Sequence, residues 1–118
     1  MKIFLATKNP GKISEFKEIL SGLSVDLVTC NDLEIPDVEE TGSTFVENAI
    51  LKARSASETT KLPSIADDSG IEVDFLKGRP GVWSARYASV DATNDENNLK
   101  LLSELQGVAE NERGACYR

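Results

Sequence analysis

Residues 3–30, IFLATKNPGKISEFKEILSGLSVDLVTC, contain the pattern that decides the fold. The apolar run IFLA at residues 3–6 is typical of a buried strand, and the turn residues TKNPG follow it. Apolar side chains then recur at helical spacing, and Gly22 marks the expected end of the helix; they are Ile13, Phe16, Ile19, Leu20 and Leu23. Alternating residues 25–30 indicate a second strand. The order strand, helix, strand predicts an α/β fold whose first two strands are parallel.

Two capping boxes predict where later helices begin. Both TFVE at residues 44–47 and TNDE at residues 93–96 pair a threonine hydroxyl with a glutamate three residues on, which satisfies the first helical amides. The first of these helices carries a stripe of one aromatic and several small side chains: Phe45, Ala49, Ala53 and Ala56. The second carries the apolar stripe Leu99, Leu102 and Leu105.

Short strands are predicted between and after these helices. Residues 64–66 form a short apolar strand, and residues 113–118 resemble the beginning of another. Alternation of Ile71, Val73 and Phe75 with acidic residues predicts a half-buried strand. The pattern of residues 83–88 is ambiguous. We expect Trp83 and Tyr87 to lie in the core, although either ring could instead stack on a base.

Composition excludes several classes of protein. The chain has 118 residues, which predicts a single domain spanning residues 1–118. It contains no histidine, which excludes imidazole bases and histidine-ligated zinc. With two distant cysteines, reduced thiols in a cytoplasmic protein are expected rather than a disulfide scaffold. We expect neither a signal peptide nor a membrane span, and the net charge of −7 argues against binding to nucleic acid.

The turn after the first strand is a candidate anion site. Its position at a helix start predicts unpaired amides that attract phosphate, while its lysines supply charge and its glycine allows close approach. The spacing of a Walker A loop is absent. An ordinary solvent-exposed turn with two surface lysines is the alternative. The candidate residues are Thr7, Lys8, Asn9, Pro10, Gly11 and Lys12.

Acidic residues form two candidate metal sites. Asp67 and Asp68 end a predicted strand and point to opposite sides of the extended chain, so one can face a cleft while the other makes structural hydrogen bonds. A carboxylate at a strand end suits Mg²⁺, but an acidic turn has the same composition. Glu39 and Glu40 precede a helix, where the helix dipole alone favours them. Lys52 is a surface lysine or a phosphate contact.

A lysine-bearing turn and two carboxylate sites in one α/β chain together suggest Mg²⁺-dependent phosphate chemistry. Because the chain has no histidine, a carboxylate must orient or deprotonate the water. Composition and spacing lead no further than this class of reaction.

Several separated motifs follow one another along the chain. In order, they are Thr7-x-Asn9-x-x-Lys12, EETG at residues 39–42 with TF at 44–45 and NA at 48–49, KA at 52–53, ADDSG at 66–70 and GRPGVxSARY at 78–87. Together they resemble the Ham1 family of inosine/xanthosine triphosphate pyrophosphatases. The resemblance covers essentially the whole chain and implies a mixed central sheet flanked by helices. It also implies Mg²⁺-dependent hydrolysis of ITP, dITP and XTP to the monophosphate and pyrophosphate. A Maf-like pyrophosphatase is a weaker match.

The resemblance also implies roles for individual residues. Asp68 would be the catalytic carboxylate that takes a proton from water, and it would hold the metal together with Glu40, with Glu39 the weaker choice. Residues 7–12 would bind the triphosphate, and Lys52 and Ser69 would contact the substrate.

The end of the chain departs from the family pattern. Family members are usually much longer, and their Phe-Gly-Tyr-Asp-Pro and Ser-His-Arg segments, which help to hold the purine base, do not occur here. We therefore expect the phosphate and metal half without most of the base half. An exposed sheet edge predicts a homo-oligomer, and the missing base-binding segments predict weak base selectivity. The alternative is a catalytically silent or partner-dependent nucleotide-binding fragment.

Overall fold

The computed structural model describes all 118 residues, which fall into two compact units, residues 1–68 and 69–118. The first unit contains β1 (Lys2–Leu5), α1 (Pro10–Leu20), β2 (Asp26–Thr29), α2 (Phe45–Thr60) and β3 (Ser64–Ile65). The second contains β4 (Ile71–Val73), β5 (Arg79–Pro80), α3 (Asn94–Glu104) and β6 (Ala115–Tyr117), with 3₁₀ turns at Asp74–Leu76, Gly81–Arg86 and Glu110–Glu112. That residues 1–118 form a single domain stays a prediction.

The first unit is built on a parallel sheet in the order β2-β1-β3. Lys2 pairs with Asp26, Leu5 pairs with Thr29, and Phe4 pairs with Ser64. The predicted parallel pairing of the first two strands is confirmed. Because the carboxyl ends of parallel strands share one edge, the turn after β1 and the residues after β3 emerge on the same side of the sheet.

The core of the first unit lies between this sheet and α2. Phe4, Ala6, Ile35 and Ala56 are buried together, and Val28, Cys30, Leu62 and Ala66 pack against them. The small Ala56 side chain is fully buried, as the alanine stripe predicted. Asn48 and Lys52 precede Ala56 by two helical turns and one turn, so the same face of α2 carries two polar side chains.

The apolar stripe predicted for α1 is only partly correct. Ile13 is buried, and Phe16 and Leu20 are half-buried, but Ile19 and Leu23 are exposed. In a helix, Ile19 lies about 120° around the axis from Ile13, outside the face that Ile13, Phe16 and Leu20 share. Leu23 follows the end of the helix.

The second unit has an antiparallel sheet in the order β5-β4-β6. Its core consists of Val73, Leu76 and Leu105, with half-buried Ile71, Leu101 and Val108 against them. Parallel and antiparallel strands thus both occur in this α/β chain, as expected, although they form two three-stranded sheets. The strand predicted at residues 71–75 ends at Val73, and Phe75 lies exposed in a 3₁₀ turn.

Both capping boxes are confirmed, but the stripe predicted for α3 is wrong at two positions. The reciprocal bonds of the box are formed by Thr44 with Glu47 and by Thr93 with Glu96. Leu105 is buried, whereas the exposed residues are Leu99, at 68%, and Leu102, at 56%. Asn97 takes the inward position instead, because its amide hydrogen-bonds to the backbone of Ala88 and Ala85.

The prediction that Trp83 lies in the core is also wrong. The residue is 57% exposed, and the Arg86 guanidinium lies over one face of its ring, 4.4 Å from the ring centroid. A cation over an aromatic face is favourable without burial, so the tryptophan is held at the surface of its 3₁₀ turn. Tyr87 is half-buried, with its hydroxyl bonded to Glu104 and Lys100 Nζ 4.5 Å from its ring centroid.

Two further features bear on the expectations from composition. Cys30 and Cys116 are both free thiols. None of the helices combines the length and the apolar character that crossing a lipid bilayer requires.

Candidate active site

The turn after β1 is organised by Asn9, which caps α1. Asn9 Oδ1 accepts hydrogen bonds from the amides of Gly11 (2.9 Å) and Lys12 (3.2 Å), and Pro10 occupies the first helical turn. The backbone N–H of Asn9 in turn donates a hydrogen bond to Thr7 Oγ1 at 3.2 Å. The amides of Gly11 and Lys12 are therefore already paired, contrary to the expectation of unpaired donors.

The two lysines of the turn lie in different surroundings. Lys8 forms an ion pair with Asp37, and both side chains are largely exposed. The hydrogen bond to Asp37 raises the pKa of Lys8 above its usual value. Lys12 is largely buried, and its Nζ lies 2.6 Å from Asp67 Oδ2. Lys12 is thus held against the segment that follows β3, while Lys8 remains at the surface.

Asp67 and Asp68 point to different partners, as expected for adjacent residues of an extended chain. Asp67 binds Lys12 through Oδ2, while its Oδ1 is buried without a hydrogen-bond partner. Asp68 is the more buried carboxylate: its Oδ1 lies 3.3 Å from Lys52 Nζ, and its Oδ2 accepts from Asn48 Nδ2 at 3.3 Å. The two carboxylates therefore belong to two separate charge clusters.

Lys52 brings Glu40 and Asp68 together. Its Nζ lies 3.0 Å from Glu40 Oε1 and 3.3 Å from Asp68 Oδ1. The three side chains are only 20%, 23% and 10% exposed, respectively. Glu39, in contrast, is exposed. Of the two neighbouring glutamates, Glu40 is the one that shares a cation with Asp68.

This donor set fits a magnesium ion better than a softer metal. Glu40 and Asp68 come from separate segments and converge on one positive group, so they define a position at which a cation is stabilised. Both negatively charged groups there are carboxylates, and no group of three or more acidic, histidine or cysteine side chains in the chain is placed to hold a metal ion. Mg²⁺ usually takes only one or two protein carboxylates and completes its shell with water and substrate phosphates.

Asn48 belongs to this cluster although sequence reasoning gave it no role. It is fully buried, accepts a 2.7 Å hydrogen bond from the Gly42 amide and donates to Asp68. One signal in the sequence could have found it: Asn48 lies one helical turn before Lys52, so the two side chains share a face of α2.

Ser69 begins the second unit. Its hydroxyl lies 3.4 Å from the hydroxyl of Tyr117. All the other predicted site residues belong to the first unit. Four of them take part in buried or half-buried ion pairs: Lys12, Glu40, Lys52 and Asp68.

Comparison with known proteins places the chain in a family. The model of the Ham1 family matches residues 3–118. The dITP/XTP pyrophosphatase of Yersinia pseudotuberculosis is 56% identical over 98% of this chain and 59% of its own length. A HAM1 protein structure from Coxiella burnetii superposes with a TM-score of 0.87 at 44% identity, covering 99% of this chain and 59% of that one.

A solved dITP/XTP pyrophosphatase from Mycobacterium abscessus gives a TM-score of 0.80 at 40% identity, over 99% of this chain and 62% of that one. The chain thus spans about three fifths of the length of these relatives. The motifs quoted above, the folded elements and the match over residues 3–118 agree, and the chain belongs to the Ham1 family.

Proposed function

We propose that this chain carries the triphosphate and metal site of a Mg²⁺-dependent pyrophosphatase acting on ITP, dITP and XTP. The observation that carries the proposal is the convergence of Glu40 and Asp68 on the Lys52 ammonium. Lys12 adds a second, largely buried cation after β1. The names of the relatives, dITP/XTP pyrophosphatases, support this class of substrate.

In the proposed reaction, Asp68 accepts a proton from the attacking water. The water oxygen bonds to the α-phosphorus, the bond from that phosphorus to the bridging oxygen breaks, and pyrophosphate leaves with the electron pair. The products are the nucleoside monophosphate and pyrophosphate. Glu40 and Asp68 would hold Mg²⁺, which when bound would shield the phosphate charge and favour ionisation of water. Asn48 and Lys52, both within 3.3 Å of Asp68, fix the direction of its carboxylate.

Charge at the lysines binds the triphosphate. Lys12 forms an ion pair with Asp67, and Lys52 forms one with Glu40. In the proposed complex, each lysine exchanges its carboxylate partner for a phosphate oxygen when substrate and metal bind. The rest of the turn supports this role: Thr7 and Asn9 hold its shape, Pro10 starts the helix, Gly11 leaves space, and Lys8 adds charge at the rim. Ser69 is assigned to a substrate contact by the family motif alone.

We also propose that the chain acts as a homo-oligomer in the cytoplasm, where the nucleotide pool is found. The edge strands of the two three-stranded sheets carry backbone groups that can pair with a second copy of the chain, which supports self-association. The net charge of −7 supports a nucleotide bound with a metal rather than a nucleic-acid backbone.

Pyrophosphate release tests the proposal. We expect release from ITP in the presence of Mg²⁺ and none in a chelator, with ATP as the comparison substrate. Triphosphate binding without release at any Mg²⁺ concentration would instead favour a nucleotide-binding fragment without catalytic activity. The absence of both binding and release would contradict the proposal.

A further inference from the structure

Asn48 joins two segments that the proposed metal site needs. Its Oδ1 accepts from the amide of Gly42, two residues after Glu40, at 2.7 Å. Its Nδ2 donates to Asp68 Oδ2, directly after β3, at 3.3 Å. The side chain is fully buried on α2, so no water can replace either partner without a change in packing.

We propose that Asn48 is a positioning residue, which sets the separation and direction of Glu40 and Asp68 before a metal binds. The inference rests on the proposed function, because it assigns the metal to those two carboxylates. Asn48 does not touch substrate or metal in this account. It acts through Asp68, whose Oδ2 it holds while Oδ1 faces Lys52, and through the Gly42 backbone, which anchors the segment that carries Glu40.

Asparagine suits this position because it must accept on one side and donate on the other. Gly42 offers an N–H and needs an acceptor, while the Asp68 carboxylate needs a donor. Aspartate would place two carboxylates against each other, and leucine would leave both groups unpaired. The contact also requires glycine at position 42, since an added Cβ would lie 2.6 Å from Asn48 Oδ1 and 2.7 Å from Glu47 Cβ.

A buried asparagine with a purely structural role is available for comparison in the same chain. Asn97 is also buried, and it also makes one accepting and one donating bond: from the Ala88 amide at 2.8 Å and to the Ala85 carbonyl at 3.0 Å. Both of its partners are backbone groups, so it fixes the turn before α3 without contacting a carboxylate. Truncating Asn97 therefore removes the same kinds of bonds from a position outside the proposed site.

The test compares Asn48→Ala with Asn97→Ala in the full chain. Mn²⁺, a paramagnetic substitute for Mg²⁺, is titrated by electron paramagnetic resonance in the presence of a non-hydrolysable purine nucleoside triphosphate. We expect Asn48→Ala to weaken Mn²⁺ binding by about 10- to 100-fold, the usual effect of removing a partner of a metal-ligating group. Asn97→Ala should bind Mn²⁺ like the unmodified chain while losing comparable stability in urea.

Equal Mn²⁺ affinity in Asn48→Ala and the unmodified chain would overturn the role of Asn48 and leave the proposed function standing. Failure of the unmodified chain to bind Mn²⁺ would overturn both. Where both variants hydrolyse ITP, the Mg²⁺ concentration for half-maximal rate should rise in Asn48→Ala more than the maximal rate falls. A fall in maximal rate alone, at unchanged metal dependence, would also count against the positioning role.

A measurement on the unmodified chain keeps the proposal testable if Asn48→Ala does not fold. The side-chain amide resonances of Asn48 and Asn97 are followed by ¹⁵N NMR during Mg²⁺ titration with the triphosphate analogue present. The Asn48 Nδ2 resonances should shift with the midpoint of metal binding, while those of Asn97 should not. Unchanged Asn48 resonances at saturating Mg²⁺ would contradict the proposal.

Discussion

Replacing Lys52 with methionine should make the folding stability of the chain depend on a divalent cation. The cation would take the place of the ammonium between Glu40 and Asp68. Methionine keeps most of the length of the side chain and removes only the ammonium that lies 3.0 Å from Glu40 and 3.3 Å from Asp68. Glu40 and Asp68 then lose the ammonium that they share. We expect the variant to be less stable without divalent cations, and we expect Mg²⁺ to restore much of that loss.

The size of the effect follows from the exposure of the three side chains. Removing one partner of a fully buried ion pair costs about 3–5 kcal/mol, and removing an exposed pair about 0–1 kcal/mol. With 10–23% of these side chains exposed, the cluster lies between the two limits, and we expect a loss of roughly 2 kcal/mol in a chelator. Mg²⁺ at about 100 times its Kd adds about 2.7 kcal/mol to a state that binds it, enough to offset that loss.

Urea unfolding in EDTA and in MgCl₂ measures both quantities. The control is Lys8→Met, which removes a lysine from a largely exposed ion pair with Asp37 and should change stability little in either buffer. The reasoning would be refuted if Lys52→Met were no less stable than Lys8→Met in EDTA. It would also be refuted if Mg²⁺ stabilised the unmodified chain and Lys52→Met by equal amounts.

Two further predictions concern the phosphate turn and a helix cap. Lys12→Ala should weaken binding of a purine triphosphate about tenfold, since one charge-assisted contact is lost; unchanged affinity by calorimetric titration would exclude the turn as the phosphate site. The hydrogen bond from the Ser43 amide lowers the pKa of Glu47 below the ordinary value of a glutamate. The contribution of Glu47 to stability should therefore be complete above that ordinary value, about pH 4.3, and disappear as the pH falls through the lowered pKa. Unfolding of Glu47→Gln should accordingly differ from the unmodified chain at pH 6 but not at pH 2, and an equal difference at both would contradict this.

Local signals in the sequence predicted the elements whose causes are local. The apolar run at residues 3–6 predicted β1, and the spacing of Ile13, Phe16 and Leu20 predicted α1. The alternation at residues 25–30 predicted β2, the parallel partner of β1. Both capping boxes need only residues three apart, and Thr44 and Thr93 begin their helices as predicted.

Predictions failed where a polar or cationic partner outweighed hydrophobicity. Leu99 and Leu102 are exposed because the helix turns Asn97 inward, where its side chain hydrogen-bonds to backbone groups before α3. An apolar pattern in the sequence does not indicate such a buried polar residue. Trp83 stays at the surface because Arg86 covers its ring. Hydrophobic periodicity predicts burial from the apolar character of side chains alone, so it does not predict where a side chain lies when a specific polar or cationic partner determines its position.

Sequence reasoning named most residues of the candidate site, but it did not predict which of them contact one another. The residues themselves left Glu39 and Glu40 equivalent and Lys52 either a surface lysine or a phosphate contact, and the family motifs alone separated their roles. The separation arises from long-range contact: Lys52 on α2 reaches a carboxylate 12 residues before it and another 16 residues after it. Asn48 was missed because a buried amide bridging two distant segments leaves no periodic signal in the sequence.

A comparison of two adjacent carboxylates tests the central claim most directly. Pyrophosphate release from ITP is measured at saturating substrate and Mg²⁺ for Asp68→Asn and Asp67→Asn. Removing a general base lowers the rate by about 10²–10⁴-fold, so Asp68→Asn should lose nearly all turnover. Asp67→Asn, which loosens Lys12, should mainly raise KM. Turnover that survives in Asp68→Asn and is lost in Asp67→Asn would contradict the assignment of the catalytic carboxylate.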